Sequence, residues 1–316
     1  MGKKPPVIAV AGPTASGKSD LGLKLARCLG GEIVCMDSMQ IYRRMDIGTA
    51  KPTAEEMDGV PHHMIDVADP EEDFSVARYV EMASACVDDI FSRGKLPIVA
   101  GGTGLYVDSL LSGRTFAAFS PDSSLRKELE AELAERGGEA MLSELSRVDP
   151  EAAARLHPND HKRIVRALEV YRSTGKTISE HNRETRALPP RYEALTIGLN
   201  FQDRADLWAR IDARVDQMAA AGLEREVREL LSSGLSPRCT AMQAIGYKEF
   251  VAAVEGTMTW REAEELVKLR SRQYAKRQLT WFRRNPEVHW LLWEKNPNFG
   301  NARQRSTELL EEFGLG

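Results

Sequence analysis

Eight residues near the N-terminus, Gly12-Pro13-Thr14-Ala15-Ser16-Gly17-Lys18-Ser19, constrain this chain more than any other stretch. They satisfy GxxxxGK[ST] and separate an apolar, β-branched run, Pro6 to Ala11, from a segment in which Leu21, Leu25 and Leu29 recur every four residues. The run reads as a strand buried on both faces of a parallel sheet, and the segment as an amphipathic helix that Gly30-Gly31 ends. In that context the glycines let the backbone turn its N–H groups on an anion, and the helix N-terminus adds positive potential. Lys18 contributes a full charge, and the Ser19 hydroxyl can ligate Mg²⁺. The pattern predicts a cradle for a diphosphate and leaves open whose diphosphate it is.

Glu32 to Met36 and Leu96 to Ala100 repeat the short apolar strand, so the order strand, helix, strand predicts an α/β fold. The expected core is a P-loop NTPase-like parallel sheet flanked by helices. A chain of 316 residues suits one large domain or two unequal ones. From Ser112 to about Ser124 the composition shifts to Ser, Gly, Pro and Phe, and an acidic helix, Leu125 to Arg136, then closes at Gly137-Gly138. After Pro189-Pro190 a strand, Ala194 to Leu199, precedes a helix from about Asp203 with Leu207, Ile211, Val215 and Met218 at helical spacing. These breaks predict a core of residues 1–113 and 195–316 and a mainly helical insertion domain, 114–194.

Lys and Arg number 43 against 47 Asp and Glu, a net charge of −4, so any nucleic-acid surface must be local. Two stretches supply one. Residues 155–191 carry nine basic side chains, from Arg155 to Arg191, against Asp160, Glu169, Glu180 and Glu184. Between Lys268 and Arg284 there are seven basic residues and no acidic one. This second stretch lies on a helix that the capping box Thr259-x-x-Glu262 opens and Asn285-Pro286 stops. Steps of four and three place Arg270, Tyr274, Arg277, Trp281 and Arg284 along one face.

Cys28, Cys35, Cys86 and Cys239 lack metal spacing and read as reduced, mostly buried thiols. The adjacent His62-His63 pair reads as structural. No run approaches the ~18 apolar residues of a membrane span, and the N-terminus carries no leader signature, so a soluble, cytoplasmic protein with no membrane contact is expected.

An ATP or GTP hydrolase normally adds an apolar strand that ends in an acidic, metal-positioning residue. Here the strand Leu96 to Ala100 runs instead into Gly101-Gly102-Thr103-Gly104. Asp37 is the early acidic residue at a strand end, and in an α/β sheet it faces the same crevice as the phosphate loop.

GPTASGKS at Gly12 to Ser19, DSMQIYRRMDIGTAKP at Asp37 to Pro52, HHMIDV at His62 to Val67 and GGTGLY at Gly101 to Tyr106 together resemble the bacterial tRNA dimethylallyltransferases, also called tRNA isopentenyltransferases. RIDARVDQM at Arg210 to Met218, AIGYKE at Ala244 to Glu249 and RQYAKRQLTWFR at Arg272 to Arg283 extend the resemblance over nearly the whole chain. It implies that the loop holds dimethylallyl diphosphate with Mg²⁺ rather than ATP. It also implies that adenosine 37 of tRNAs with adenosine at position 36 is flipped out of the anticodon loop and alkylated at N6.

The chemistry gives the residues their expected roles. Adenine N6 is a poor nucleophile, so a base that takes its proton during attack lowers the barrier. Asp37 is the candidate, with a helix cap or a metal neighbour as the alternative. Charge building on departing diphosphate must be met by cations and amides. The resemblance assigns Gly12, Thr14, Ala15, Ser16, Gly17, Lys18, Ser19 and Arg214 to diphosphate, with Ser19 on the metal. On spacing alone, Arg214 reads as a solvated helix arginine. Thr103, which the resemblance places beside the reacting groups, otherwise reads as a turn residue. Gln40 offers an amide to an adenine edge, or forms an ordinary turn. Toward tRNA the resemblance and the basic stretches assign Asp37, Ser38, Met39, Gln40, Thr103, Arg126, Arg163, Arg166, Gln243, Gly246, Arg272, Lys276 and Arg277. A monomer is expected. The rivals are a P-loop small-molecule kinase and a non-catalytic RNA-binding protein that uses its loop as an anion sensor.

Overall fold

The computed structural model describes residues 4–113 and 123–314. In chain order the elements run β1 (Pro6–Ala11), α1 (Lys18–Leu29), β2 (Glu32–Cys35), α2 (Ala54–Met57), β3 (His62–His63), α3 (Val76–Ser92), β4 (Pro97–Gly101) and α4 (Gly104–Leu111). Four helices follow: α5 (Ser123–Val148), α6 (Pro150–Ala153), α7 (His161–Thr174) and α8 (Ile178–Arg186). The chain then adds β5 (Glu193–Phe201), α9 (Arg204–Ala221), α10 (Leu223–Ser232), α11 (Tyr247–Val254), α12 (Trp260–Phe282), β6 (His289–Trp293) and α13 (Phe299–Glu312).

The six strands form one sheet in the order β3-β2-β4-β1-β5-β6, and every neighbouring pair is parallel. Alternation along β1 explains its unbroken apolar sequence. Ile8 and Val10 pack on one face with Leu21 and Leu25 of α1 and Leu207 and Ile211 of α9, whereas Val7, Ala9 and Ala11 pack on the other with Tyr79 and Val87 of α3. The α/β, P-loop NTPase-like fold with helices on both faces is as expected. β6 and α13 escape the sequence reading because HWLLW, although bounded by Asn285-Pro286 and Asn296-Pro297, is a short apolar run whose periodicity does not separate strand from helix.

Two compact units result, Met1–Leu111 with Arg191–Gly316, and Ser112–Pro190. The core resumes at Arg191 rather than 195: Glu193 already pairs with Pro6, and Tyr192 is buried in the core. Residues 114–122, which hold most of the compositional shift and the other expected boundary, lie outside the described residues.

The second unit is helical around Leu129, Met141, Leu145, Ile164 and Leu168. The acidic helix closes at Gly137 as expected: that residue leaves helical geometry with φ 77 and ψ 164, and a second helical stretch then runs on to Val148. The positive excess counted over 155–191 is smaller in space than in sequence. Arg172 pairs with Glu132 and Glu144 of α5, Arg155 with Glu151, and Lys176 with Glu184. Arg166 and Arg126 converge on the fully buried Glu169 at 2.8 and 3.8 Å, while Arg163 is exposed. A window count misses acidic residues that folding brings from another helix.

Of the four cysteines only Cys35 is buried, and Cys28 is exposed on the outer side of α1, which corrects the expectation of mostly buried thiols. The histidines are structural as expected. His62 Nδ1 meets Val60 O at 2.8 Å, and His63 Nε2 meets Glu32 at 2.8 Å. Among the described residues, no helix is long and apolar enough to cross a membrane.

Glu32, 2% exposed at the start of β2, binds Arg93 through two hydrogen bonds and Lys95 through one. Hydrogen bonding from Arg93 holds its carboxyl far below the usual value near 4.5; burial opposes this, and Lys95 and His63 add to it. A depressed folded value means that this stability is complete above the unfolded value and is lost as pH falls through the acid range below it. Glu32→Gln is expected to cost about 2–3 kcal/mol at pH 7, less than a fully buried pair because the partner cations remain 39–44% exposed. Urea titrations of the two proteins should converge as pH drops below about 4.5.

Candidate active site

Three loops leave the carboxyl ends of the adjacent strands β2, β4 and β1, the edge where open α/β sheets bind ligands. The phosphate loop after β1 is fastened from behind. Trp293 Nε1 donates to Ser16 O at 2.8 Å, Arg210 Nε to Ala15 O at 3.2 Å and Lys18 Nζ to Pro13 O at 2.7 Å. With these carbonyls held, the amides of the first turn of α1 have no acceptor inside the helix and remain for an anion. Ala15 and Gly17 both take positive φ, 60 and 85, to make the turn.

A cavity of about 520 Å³ joins this cradle to the other two loops. Thr14, Lys18, Ser19, Asp37 and Arg214 all line it. The expected partners therefore share one space, and Arg214 on α9 faces the cavity instead of lying solvated. Burial, and then the neighbouring Arg214, lowers the Lys18 ammonium to about 8, with Asp37 acting in the opposite sense. Burial likewise lowers the Arg214 guanidinium while Asp37 supports its charge. Two cations thus meet one carboxylate in a poorly solvated space, an arrangement that a multivalent anion relieves.

A lysine of this kind is charged below about pH 8 and neutral above it. Since kcat/KM reports groups of the free enzyme, kcat/KM for an anionic substrate is expected to fall as pH rises through about 8. A flat profile to pH 10 would contradict the role of Lys18.

Asp37 follows β2. Its Oδ1 accepts the amides of Met39 at 2.9 Å and Gln40 at 3.4 Å, so the capping role is real. Oδ2 has no hydrogen-bond partner among the described residues, which leaves it free to take a proton. Thr103 Oγ1 accepts the Ser38 amide at 3.2 Å, and Tyr274 lines the same cavity as Gln278. The glycines of GGTG are there because other elements press on them. A Cβ on Gly102 would fall inside Gln278 Nε2, and one on Gly104 inside the Trp281 ring.

Other expected contacts need correction. Gln40 lines the cavity, but its Nε2 donates to Thr49 O and Ala50 O, and its Oε1 faces Cys35 Sγ. Its amide braces the loop and is not free for an adenine edge. Thr14 lines the cavity with its N–H already bound by Gln278 Oε1 at 2.9 Å, which leaves its hydroxyl. Gly12, Ala15, Ser16 and Gly17 shape the loop without lining the cavity. Gly246 is buried, with its N–H capped by Glu249. Gln243, Met39, Ser38 and Arg277 do line the cavity. On α12, Arg272 pairs with Asp212 and Lys268 with Asp216, so the apparently unopposed basic helix is partly neutralised by α9. Lys276 and Arg277 are exposed.

The sequence reading misses Glu226. This buried carboxylate accepts the amides of Asp46, Ile47 and Gly48 and the Tyr247 hydroxyl, pinning the loop that follows Asp37 from α10. No local pattern marks it, because its backbone partners lie 178–180 residues away and Tyr247 lies 21 away.

Residues 40–285 match the family model described as IPP transferase, and residues 5–74 match the one described as isopentenyl transferase. A tRNA dimethylallyltransferase of Geobacter sulfurreducens is 49% identical over 315 residues, covering 99% of this chain and 98% of its own length. The full-length tRNA isopentenylpyrophosphate transferase of Bacillus halodurans superposes with a TM-score of 0.73 at 42% identity, over 98% of both chains. A eukaryotic dimethylallyltransferase acting on tRNA gives a TM-score of 0.83 at 31% identity, over 98% of this chain and 79% of its own.

Proposed function

The chain belongs to the IPP transferase family, and on that premise we propose that it transfers the dimethylallyl group of dimethylallyl diphosphate to N6 of adenosine 37 in tRNA. The products are N6-(dimethylallyl)adenosine and diphosphate. One observation carries this reading: the anion cradle with Lys18 and Arg214, and the unpartnered oxygen of Asp37, open into a single cavity.

In the reaction the N6 lone pair attacks the terminal carbon of the allyl group, and the carbon–oxygen bond breaks toward diphosphate. The N6 proton passes to Asp37. Lys18, Arg214 and the first-turn amides of α1 meet the charge arriving on the leaving group. Ile211, Val215, Met218 and Val267, on the cavity wall, offer an apolar surface to the isoprenoid. Ser19 contributes one neutral oxygen at the cavity, a donor that suits Mg²⁺ taking its remaining ligands from diphosphate and water. When bound, the ion supplies further neutralisation of the diphosphate.

The adenine must leave its stack to enter the cavity, at a cost of a few kcal/mol that contacts elsewhere offset. Lys276 and Arg277 on α12, and Arg126, Arg163 and Arg166 in the helical unit, serve the anticodon stem-loop, whose affinity then weakens with salt. We propose a monomer, and action on tRNA supports a cytoplasmic location.

Incubation with labelled dimethylallyl diphosphate and unmodified tRNA tests the reading. Label should appear on adenosine 37, and ATP should neither replace the donor nor be consumed. ATP-dependent phosphorylation in its place would support the kinase alternative.

A further inference from the structure

Gln278 lies on α12, 264 residues from Thr14 and 176 from Gly102, yet it joins the two. Its Oε1 accepts the Thr14 amide at 2.9 Å, and its Nε2 donates to Gly102 O at 2.9 Å. The side chain is 6% exposed and lines the cavity, as does Tyr274 one turn earlier on α12. Thr14 belongs to the loop after β1, and Gly102 adjoins Thr103 in the loop after β4. These loops nearly touch, because a Cβ on Gly102 would stand 3.2 Å from Gly12 O.

We infer that Gln278 is a positioning residue, an amide strut that sets the spacing between the diphosphate cradle and the loop of Thr103, whose hydroxyl meets the Ser38 amide next to Asp37. The polarity of the amide matches the two backbone groups, an oxygen to an N–H and a nitrogen to a carbonyl. It also gives the Gly102 carbonyl, an anion-repelling group, a donor of its own. Thr103 is thereby held through Gly102 next to it, and Thr103 in turn holds the Ser38 amide beside Asp37. In-line transfer demands a fixed distance between acceptor nitrogen and allyl carbon, and a displacement of about 1 Å can cost about a hundredfold in rate. The inference rests on the functional reading above.

The test is single-turnover transfer from dimethylallyl diphosphate to unmodified tRNA, with donor affinity measured separately by calorimetry on the full chain. Gln278→Met keeps the volume and removes both hydrogen bonds. Gln278→Glu still accepts the Thr14 amide but cannot donate to Gly102 O while ionised, and it carries the test should the first variant fail to fold. Each is expected to lower the rate constant at saturating substrates by about 10- to 100-fold while donor Kd moves by less than about threefold. A purely structural side chain would lower the melting temperature and leave the rate constant of folded enzyme unchanged. That result, or a loss confined to donor Kd, overturns the strut. Wild-type protein that transfers nothing refutes the functional reading instead.

Discussion

Asp37→Asn is expected to slow single-turnover transfer by about 10²- to 10⁴-fold while tRNA affinity stays within about threefold of wild type. The substitution is conservative where the structure needs it to be. An asparagine oxygen can still accept the Met39 and Gln40 amides, so the turn that Oδ1 caps is preserved. What it removes is the proton acceptor at the other oxygen. Rapid-quench transfer and filter binding on the same preparations separate chemistry from association, and a variant with full rate would show that Asp37 is not the base.

Lys18→Ala should lower kcat/KM for dimethylallyl diphosphate by about 10²- to 10³-fold, the loss typical of deleting one donor to a developing anion. Without donor, the ammonium bonds to Pro13 O and shares the cavity with Arg214, so its charge is only partly balanced before the donor arrives. The alanine enzyme should therefore lose the fall in kcat/KM near pH 8 as well as most of its rate. Unchanged steady-state kinetics would contradict the assignment of the loop to diphosphate.

The groups that were legible in the sequence are those that a single loop carries in consecutive positions. Gly12 to Ser19 lies between a strand and a helix, and Asp37 and Thr103 sit at strand ends, so parallel topology brings them to one edge. The groups that were not legible depend on pairs far apart in the chain. Gln278 reaches Thr14, Glu226 reaches Asp46 to Gly48, and Asp212 neutralises Arg272, none at a spacing that any helix or strand period marks. The same limit explains the misjudged side chains. Gln40 looks free until Thr49 and Ala50 fold back on it, and the basic helix looks unopposed until α9 packs alongside. Burial was likewise underdetermined: Cys28 lies one residue before Leu29 of the apolar stripe and is nonetheless exposed.

The account turns on donor and acceptor meeting in one space, and a crystal structure with an unreactive thio-diphosphate donor analogue and an anticodon stem-loop measures this directly. The diphosphate should lie against Lys18, Arg214 and the first-turn amides of α1, with adenine N6 within hydrogen-bond distance of the Asp37 carboxylate. An adenine lodged in a different cavity, or a diphosphate away from the loop, would contradict it.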